Sequence, residues 1–402
     1  MRILGPPLKP PKYISFTVTK TRMISQITAN SQTSMVELKT GLSLYTVELG
    51  NPVGAPMLVL HGGWGPADNE EHRLDILNEE IRSKFRIIYF HQRGWGRSKI
   101  EELSGTDTST GIDANIDDCE VLRQHFGIDK WEVVYGGSNG AALGLAYAAK
   151  YFGSTVAGLV LRGLWLIREQ DLDHDYGDGK NGKGKYYPAQ WRRFIGHVGY
   201  KTRTDMERLE KTENPGLEIV NKYWELMMGE SPDERQKAAA SWLKWDSLGA
   251  TVGVDNDNPP ATSIELLTSD EDIVKLGLTF YKSLNSHASE INSKNFLDTV
   301  AAKIHGDGER VIESREERIH SLRKKIRLIT GEFDMLCPPA FAYEVIEKLL
   351  ESETATDERT EIENCTLKKT CQIVKGASHS QYDPGMPDAI QKAMLEIAFG
   401  EH

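Results

Sequence analysis

The chain has 402 residues and a formal net charge of -11, from 48 basic and 59 acidic side chains. Hydrophobic residues make up 39% and charged residues 27%, which suits a globular protein with a sizeable core and a solvated surface. The acidic balance argues against nucleic acid and against an anionic membrane as partners, because both require a basic face. Composition does not set the oligomeric state.

Residues 1–34 predict a poorly ordered N-terminal tail, which begins MRILGPPLKPPKYISFTVTK. The tail lacks the continuous apolar core of a signal peptide, and we find no stretch of about 20 apolar residues that would span a membrane. Its basic, Ser/Thr-rich composition is also compatible with a weak transit peptide. Four cysteines without a paired or metal-binding spacing suit a reducing compartment. We therefore expect a cytoplasmic protein.

Strand and helix patterns alternate over residues 35–165. A hairpin around Thr40-Gly41 precedes two buried strands, PMLVLHGG and FRIIYFHQRGWGRS, and EEHRLDILNEEIRSK has helical spacing between those two strands. The following elements are the helix ANIDDCEVLRQHFGI, the strand WEVVYGG, the helix AALGLAYAAKYF and the strand VAGLVLRGLW. This alternation predicts a mostly parallel α/β sheet with helices on its faces.

Residues 166–320 are more polar, rich in Trp and helical in pattern. In this region DGKNGKGKYY predicts a flexible loop, whereas AAASWLKWDSLGA and DIVKLGLTFYKSL predict helices that each bury one side. Strand character returns at KIRLITGEFD and CQIVKGASHS, with the helix AFAYEVIEKLL and a charged loop at 351–370 between them, and MPDAIQKAMLEIAF predicts a final helix. The sequence thus predicts an α/β core in two parts, 35–165 and 321–402, interrupted by a helical cap at 166–320.

Ser138 lies in the motif GGSNG, after a predicted strand and before a predicted helix. Gly-x-Ser-x-Gly in that context predicts a nucleophile elbow, whose sharp turn exposes the serine hydroxyl at the C-terminal edge of the sheet. Glycines at positions 136 and 140 suit the turn because they lack a Cβ atom. The alternative is a tight Gly-Ser turn without chemistry, so the interpretation depends on partner residues.

Two further side chains also follow predicted strands. Asp334 comes after IRLITGEF, and His379 lies in GASHS after a late strand. A serine hydroxyl needs a base, and the base needs a third group that holds its tautomer. The chain order Ser, Asp, His is that of α/β-hydrolases. We predict Ser138 as nucleophile, His379 as general base and Asp334 as its orienter, with a structural role for His61 and either role for His91.

The glycine-rich loop HGGWGP follows the first buried strand. Backbone N–H groups in such a loop approach a reacting oxygen closely and stabilise its negative charge. We expect one oxyanion donor from Gly63 or Trp64 and the other from the amide of Asn139. The alternative is a plain glycine turn.

Six motifs together resemble those of the proline iminopeptidases, the prolyl aminopeptidase family of serine peptidases. In chain order from His61 to Ser380 they are HGGWGP, HQRGWGRS, GGSNGAALGLAYA, LVLRGLWLIR, GEFDMLCPP and KGASHS. The resemblance implies an α/β-hydrolase core with a helical cap, the triad already predicted, and neither a metal nor a cofactor. The reaction that it implies is release of an N-terminal proline from a small peptide.

The cap motifs match this family less closely. Members carry acidic groups in the cap that pair with the free amino terminus of the substrate, one of them in a Trp-x-x-Trp-Glu pattern. The matching residues here are Trp242, Trp245 and Asp246, so the resemblance implies that they bind substrate. Gly277 stands where the family has a second cap glutamate, and Asn139 stands where it has Trp after the nucleophile.

Three functions stay open on the sequence alone. The first is a prolyl aminopeptidase, which the collinear motifs and Asp246 favour. The second is a related α/β-hydrolase that cleaves an ester, lactone or amide of a small molecule, which Gly277 and Asn139 favour. The third is a hydrolase fold without activity that serves in binding, and the complete set of triad residues argues against it.

Overall fold

The structure, a computed structural model, describes residues 31–63, 74–98, 111–177, 179–250, 273, 295–307, 310–311, 315–350 and 370–400. Its strands are β1 (Gln32–Glu37), β2 (Ser43–Gly50), β3 (Ala55–Leu60), β4 (Phe85–Phe90), β5 (Val133–Gly137), β6 (Leu159–Arg162), β7 (Gly306–Asp307), β8 (Arg310–Val311), β9 (Ile326–Gly331) and β10 (Cys371–Val374).

Helices lie between the strands, and seven of the described helices follow β6 before β7 begins. They are α1 (Glu79–Lys84), α2 (Ile112–His125), α3 (Asn139–Tyr151), α4 (Glu169–Tyr176), α5 (Lys183–Tyr186), α6 (Pro188–His197), α7 (Arg203–Leu209), α8 (Pro215–Met227), α9 (Pro232–Asp246), α10 (Phe296–His305), α11 (Arg315–Lys325), α12 (Pro339–Leu350) and α13 (Met386–Phe399).

Eight strands form one sheet in the order β1-β2-β4-β3-β5-β6-β9-β10. The first two pairs, β1 with β2 and β2 with β4, are antiparallel, and every later pair is parallel. The predicted mostly parallel sheet is therefore confirmed. Because parallel strands share one carboxyl edge, the residues that follow β3, β5, β6, β9 and β10 meet at that edge.

The parallel strands are buried on both faces, so they consist of almost continuous apolar residues. Side chains alternate between the faces. Leu58 and Val134 join the cluster formed with α2 and α3, whereas the adjacent Val59 and Val133 join the cluster that contains Ile390 of α13. Burying a side chain of this size stabilises the fold by about 1.5–3 kcal/mol.

A third apolar cluster lies outside the sheet, and all its buried members except Ile273 and Cys337 come from residues 165–248. It is rich in aromatic side chains, and the ring of Phe194 stacks on Tyr223 and Trp245 with centroid separations of 4.5 and 5.1 Å. A separate core of this kind is what a folded cap requires, since a helix must bury its apolar stripe against another element. We propose residues 169–246 as the body of the cap.

The C-terminal part of the predicted insertion packs differently. Phe296, Val300 and Ile304 of α10 are buried in the same cluster as the helices α3 and α12 that cover the sheet. The predicted cap at 166–320 thus contains a segment that packs on the core, because its apolar stripe faces the sheet helices. The predicted helix DIVKLGLTFYKSL, at 272–284, lies outside the described residues except for Ile273.

Three local predictions need correction. Strand β1 begins at Gln32, within the predicted tail, because its residues pair with β2. Helix α1 begins only after Asn78, whose side chain accepts a hydrogen bond from the amide of Ile81 at 3.0 Å and caps the helix. The predicted flexible loop at 178–187 is wrong in its second half, where α5 forms and Lys183 is fully buried.

Candidate active site

Ser138 lies between β5 and α3, at the carboxyl edge of the sheet. Its backbone has φ 55° and ψ -124°, a conformation that non-glycine residues rarely adopt. The amide of Ser138 donates to the carbonyl oxygen of Arg162 at 2.8 Å, which extends the pairing of β5 with β6 up to the turn. The predicted sharp turn is therefore present, and strain at one residue is typical of functional sites.

Two glycines let this turn approach the loop after β3. A Cβ atom on Gly140 would collide with the carbonyl oxygen of Leu60, and one on Gly62 would lie 2.8 Å from the Cβ of Ser138. Neither position has room for a side chain, so the backbones of GGSNG and HGG are in contact.

His379 and Asp334 follow β10 and β9, the two strands at the far side of the sheet. Nδ1 of His379 lies 2.9 Å from Oδ2 of Asp334, and the Asp334 side chain is 1% exposed. The other carboxylate oxygen accepts hydrogen bonds from the amides of Leu336 and Cys337 at 3.0 and 2.8 Å. These contacts fix the carboxylate so that it holds the imidazole with Nε2 as the remaining ring nitrogen.

Hydrogen bonds of the neighbouring residue Ser378 hold the loop that carries His379. The amide of Ser378 donates to Asp383 at 2.6 Å, and the hydroxyl of Ser378 donates to the carbonyl oxygens of Gly249 and Phe333 at 2.6 and 3.0 Å. Asp383 is buried, which raises the pKa of its carboxyl group, although the Ser378 amide opposes that rise. These contacts fix the conformation of the loop and therefore the position of the His379 imidazole.

Arg162 and Gly163 connect the serine turn to the histidine loop. The buried guanidinium of Arg162 donates from Nη1 to the carbonyl oxygen of His379, while its own carbonyl oxygen accepts from Ser138. Gly163 has φ 54°, and a Cβ atom there would lie 2.8 Å from Cε1 of His379. Neither residue carries a distinct signal in the sequence, although both lie in the motif LVLRGLWLIR.

The predicted oxyanion donors lie next to the serine where they are described. Asn139 is buried and opens α3, whose first N–H groups have no partner within the helix. Gly63 ends the described part of the HGG loop with φ 86°. Trp64, the other candidate, lies outside the described residues. A donor role for these amides stays a prediction.

His61 and His91 hold the neighbouring loops together. Nε2 of His61 accepts from the amide of Gln92 at 3.0 Å, and Nδ1 of His91 accepts from the amide of Arg97 at 2.9 Å. Both histidines are buried. These contacts favour a structural role for His91 as well as for His61.

The cap contacts the Asp334 loop directly. The ring of His174 in α4 lies with Nε2 2.9 Å from the carbonyl oxygen of Met335, and burial lowers the pKa of this histidine. The neutral ring donates that hydrogen bond from Nε2. Helix α4 is thus docked one residue away from Asp334.

The residues Trp242, Trp245 and Asp246, implied as substrate-binding by the resemblance, all belong to α9. Both tryptophans are 2% exposed, and the ring of Trp242 stacks on Tyr176 with centroids 4.7 Å apart. The ring of Trp245 contacts Phe194 and the ammonium of Lys183, so the described contacts of both tryptophans are with residues of the cap core. Asp246 is half-buried and accepts a hydrogen bond from the hydroxyl of Tyr176 at 3.0 Å. Gly277 lies outside the described residues.

A charged cluster that the sequence analysis missed lies between α4, α5 and α9. Lys183 is fully buried, and its Nζ donates to the carbonyl oxygens of Trp245 and Asp246 at 2.7 and 3.4 Å. Asp175 is 5% exposed, and burial raises the pKa of its carboxyl group well above the usual range. An acidic residue on the same helical face as Leu172 and Tyr176 is the sequence signal that would have indicated it.

One group of metal-ligating side chains occurs among the described residues. Ligand atoms of Asp334, Cys337 and His379 all lie within 4.8 Å of one another. The hydrogen bond from His379 to Asp334 uses the atoms that would have to face an ion, so this group fits a catalytic pair better than a metal site. Cys119, Cys337 and Cys371 are buried free thiols.

Comparison with known proteins gives the same fold. A family model described as the alpha/beta hydrolase fold matches residues 55–250. A haloalkane dehalogenase from Bradyrhizobium elkanii superposes with a TM-score of 0.52 and 14% sequence identity, over 92% of this chain and 97% of that one. Among the described helices, none combines the length and the hydropathy that a membrane-crossing helix needs.

Sequence relatives cover most of the chain. A proline iminopeptidase from Xanthomonas citri is 27% identical over 353 residues, which is 87% of this chain and 91% of that protein. A proline iminopeptidase from Arabidopsis thaliana is 26% identical over 345 residues, or 86% of this chain and 74% of that protein. Together with the sheet order, these matches identify the chain as an α/β-hydrolase-fold protein related to the proline iminopeptidases.

Proposed function

We propose that the protein is a serine hydrolase that releases N-terminal proline from small peptides. The observation that carries the proposal is the hydrogen bond between His379 and Asp334 at the carboxyl edge of the sheet, where the strained residue Ser138 also lies. This arrangement supplies a nucleophile, a base and an orienter. The sequence relatives and the cap carboxylate of Asp246 support the choice of substrate.

The reaction proceeds through an acyl-enzyme. His379 removes the proton of the Ser138 hydroxyl as its oxygen attacks the carbonyl carbon of the N-terminal proline. The same imidazole then donates that proton to the departing amine, and the proline stays bound as an ester of Ser138. Water attacks this ester with His379 again as base, so proline leaves and the serine is restored.

Asp334 makes His379 an effective base. Its buried carboxylate accepts from Nδ1 and thereby leaves Nε2 unprotonated for the serine proton. It also stabilises the imidazolium that forms. The oxyanion of the tetrahedral intermediate takes hydrogen bonds from the amides of Asn139 and of the HGG loop, and such donors typically contribute about 10²–10³ each in rate.

A carboxylate in the cap explains the specificity for substrates with a free amino terminus. Asp246 is a half-buried carboxylate beside Tyr176, and a carboxylate shielded from water binds an ammonium group more strongly than an exposed one does. We extend the proposal to a cytoplasmic location, which the three buried free thiols suit.

Parallel assays separate this function from the alternative of a small-molecule esterase. The wild-type protein is given L-proline 2-naphthylamide and short-chain p-nitrophenyl esters. We expect efficient hydrolysis of the arylamide and none by Ser138→Ala, whereas Ser154→Ala, at an exposed serine, behaves as wild type. Turnover of esters without turnover of the arylamide, in a protein whose Ser138 reacts with a fluorophosphonate, would establish the esterase instead.

A further inference from the structure

We propose that Asn139 is a specificity-determining residue, whose side-chain oxygen accepts a hydrogen bond from the N–H group of the scissile amide. This inference rests on the proposed aminopeptidase function and deepens it, because it explains how the site would select amides over esters. In the mechanism above, the leaving nitrogen has His379 as its partner for the proton. Asn139 would be a second partner, for the hydrogen that the nitrogen already carries.

The first observation is that the Asn139 side chain is buried with an unpaired acceptor. The residue is 6% exposed, and its Oδ1 atom has no hydrogen-bond partner in the part of the chain that the structure describes. A buried carboxamide oxygen without a donor is costly, so a ligand that donates to it gains correspondingly. The tryptophan that the proline iminopeptidases carry at this position has only a donor, so this acceptor is specific to the asparagine.

The second observation is the position of this acceptor in the chain. Asn139 directly follows Ser138 and opens α3, so the Cα atoms of the two residues lie about 3.8 Å apart. The backbone N–H of Asn139 is a predicted oxyanion donor, which would bind the oxygen of the reacting carbonyl group. Its side chain branches from the next atom of the backbone, so it is within reach of the other groups on the same carbonyl carbon.

The third observation is that the backbone around Asn139 cannot shift easily. A Cβ atom on Gly140 would collide with the carbonyl oxygen of Leu60, and one on Gly136 would collide with the carbonyl oxygen of Gly140. These close approaches hold the start of α3 against the end of β5 and the loop after β3. The Cα atom that carries the acceptor is therefore fixed relative to Ser138, as recognition of a reacting group requires.

The chemistry of amide cleavage gives such an acceptor a defined task. Attack by Ser138 makes the carbonyl carbon tetrahedral, and the leaving nitrogen regains its lone pair. That lone pair takes the proton from the His379 imidazolium, the C–N bond breaks, and its electron pair stays on the departing amine. While the lone pair faces His379, the N–H bond points elsewhere, and an acceptor there stabilises this orientation. An ester has an oxygen at this position without a hydrogen to donate, so only an amide gains.

The test compares an amide and an ester of the same acid, L-proline 2-naphthylamide and L-proline 2-naphthyl ester. For Asn139→Leu we expect kcat/KM for the amide to fall about 10–100-fold, the loss of one hydrogen bond in a buried site. The value for the ester should stay within about threefold of wild type, because the backbone N–H of residue 139 is retained. Asn139→Gln keeps the carboxamide and should recover part of the lost amide activity.

Stability separates this role from a structural one. Leucine has nearly the shape of asparagine without the unpaired oxygen, so Asn139→Leu should unfold at the same urea concentration as wild type or a higher one. Asn115→Leu is the matched control, since Asn115 is 7% exposed and its Nδ2 donates to the carbonyl oxygen of Gly111 at 3.0 Å. That variant should unfold at a lower urea concentration and keep the wild-type ratio of amide to ester hydrolysis.

The outcomes distinguish failure of this inference from failure of the proposed function. If Asn139→Leu cleaves the amide as fast as wild type, or loses amide and ester hydrolysis equally, the inference is overturned while the aminopeptidase function stands. If the wild type does not cleave the proline amide, that function fails, and p-nitroacetanilide and p-nitrophenyl acetate replace the proline substrates. A loss in Asn139→Leu that is confined to the anilide would then support the inference, and a wild type that cleaves only the acetate would overturn it.

Discussion

The guanidinium of Arg162 donates to the carbonyl oxygen of His379, and the carbonyl oxygen of the same arginine accepts from the amide of Ser138. One residue at the end of β6 therefore holds both the strand that leads to the serine and the loop that carries the histidine. The distance between Ser138 and His379 depends on this link, because the two residues belong to different parts of the chain.

Replacement of Arg162 by methionine should lower kcat more than it changes KM. Without the guanidinium the His379 loop shifts, and misplacement of a catalytic group by about 1 Å can cost about 100-fold. Steady-state kinetics on the proline arylamide would show a kcat lowered about 10–100-fold, with partial recovery in Arg162→Lys. Arg327→Met is the control, since Arg327 is equally buried but pairs with Glu396. Equal losses in both variants would mean a general effect on stability.

Gly163→Ala should impair catalysis through direct contact with the imidazole. The new methyl group would lie 2.8 Å from Cε1 and 2.9 Å from Nδ1 of His379. Gly127→Ala is the control, because Gly127 has a φ angle of 62°, similar to the 54° of Gly163. A methyl group at position 127 would have no other atom within 4 Å. Both variants should therefore lose about 1 kcal/mol or more of unfolding free energy from backbone strain. Only Gly163→Ala should also lose kcat, and full activity in that variant would contradict the described position of His379.

Asp334→Asn should lower kcat by about 10⁴, the loss known for this change in a serine protease triad. The asparagine oxygen can still accept from the amides of Leu336 and Cys337, so the loop should keep its conformation. Its NH₂ group would then face Nδ1 and force the proton onto Nε2, the wrong tautomer for a base. Burst kinetics with an activated ester would show loss of acylation, and a drop of tenfold or less would contradict the assignment.

His305 should make the stability of the protein depend on pH. The side chain is 2% exposed, and burial lowers its pKa to about 4 from 6.5. Between these values the unfolded state binds a proton that the folded state does not, so stability falls as pH decreases, by about 3 kcal/mol in total. Urea unfolding of His305→Gln between pH 4 and 7 should show a flatter dependence than wild type. His125→Gln, at an exposed histidine, should leave the dependence unchanged.

Local patterns in the sequence predict where Ser138, Asp334 and His379 lie in the fold, for a physical reason. Ser138, Asp334 and His379 each follow an apolar strand pattern, and the topology of a parallel sheet brings all such strand ends to one edge. The hydrogen bond between Asp334 and His379 follows from the positions of these residues after β9 and β10, because these two strands are adjacent and parallel.

The charged cluster in the cap is less predictable, because it depends on packing between distant segments. The sequence predicts that Lys183 belongs to a polar, glycine-rich loop. In the structure its ammonium group is buried and donates hydrogen bonds to the carbonyl oxygens of Trp245 and Asp246. Asp175 carries a weak signal, since it shares a helix face with Leu172 and Tyr176. Nothing local indicates that α4 would dock against Met335, and that contact decides where Asp175 lies.

The most direct test of the account is the product formed from a short peptide with an N-terminal proline. Purified protein is incubated with such a peptide and with the same peptide acetylated at its amino terminus, and the products are followed by mass spectrometry. We predict that proline and the shortened peptide appear in equal amounts from the free peptide alone, and that Ser138→Ala forms neither. Cleavage of the acetylated peptide at a similar rate, or no cleavage of either peptide by a protein that a fluorophosphonate labels at Ser138, would contradict it.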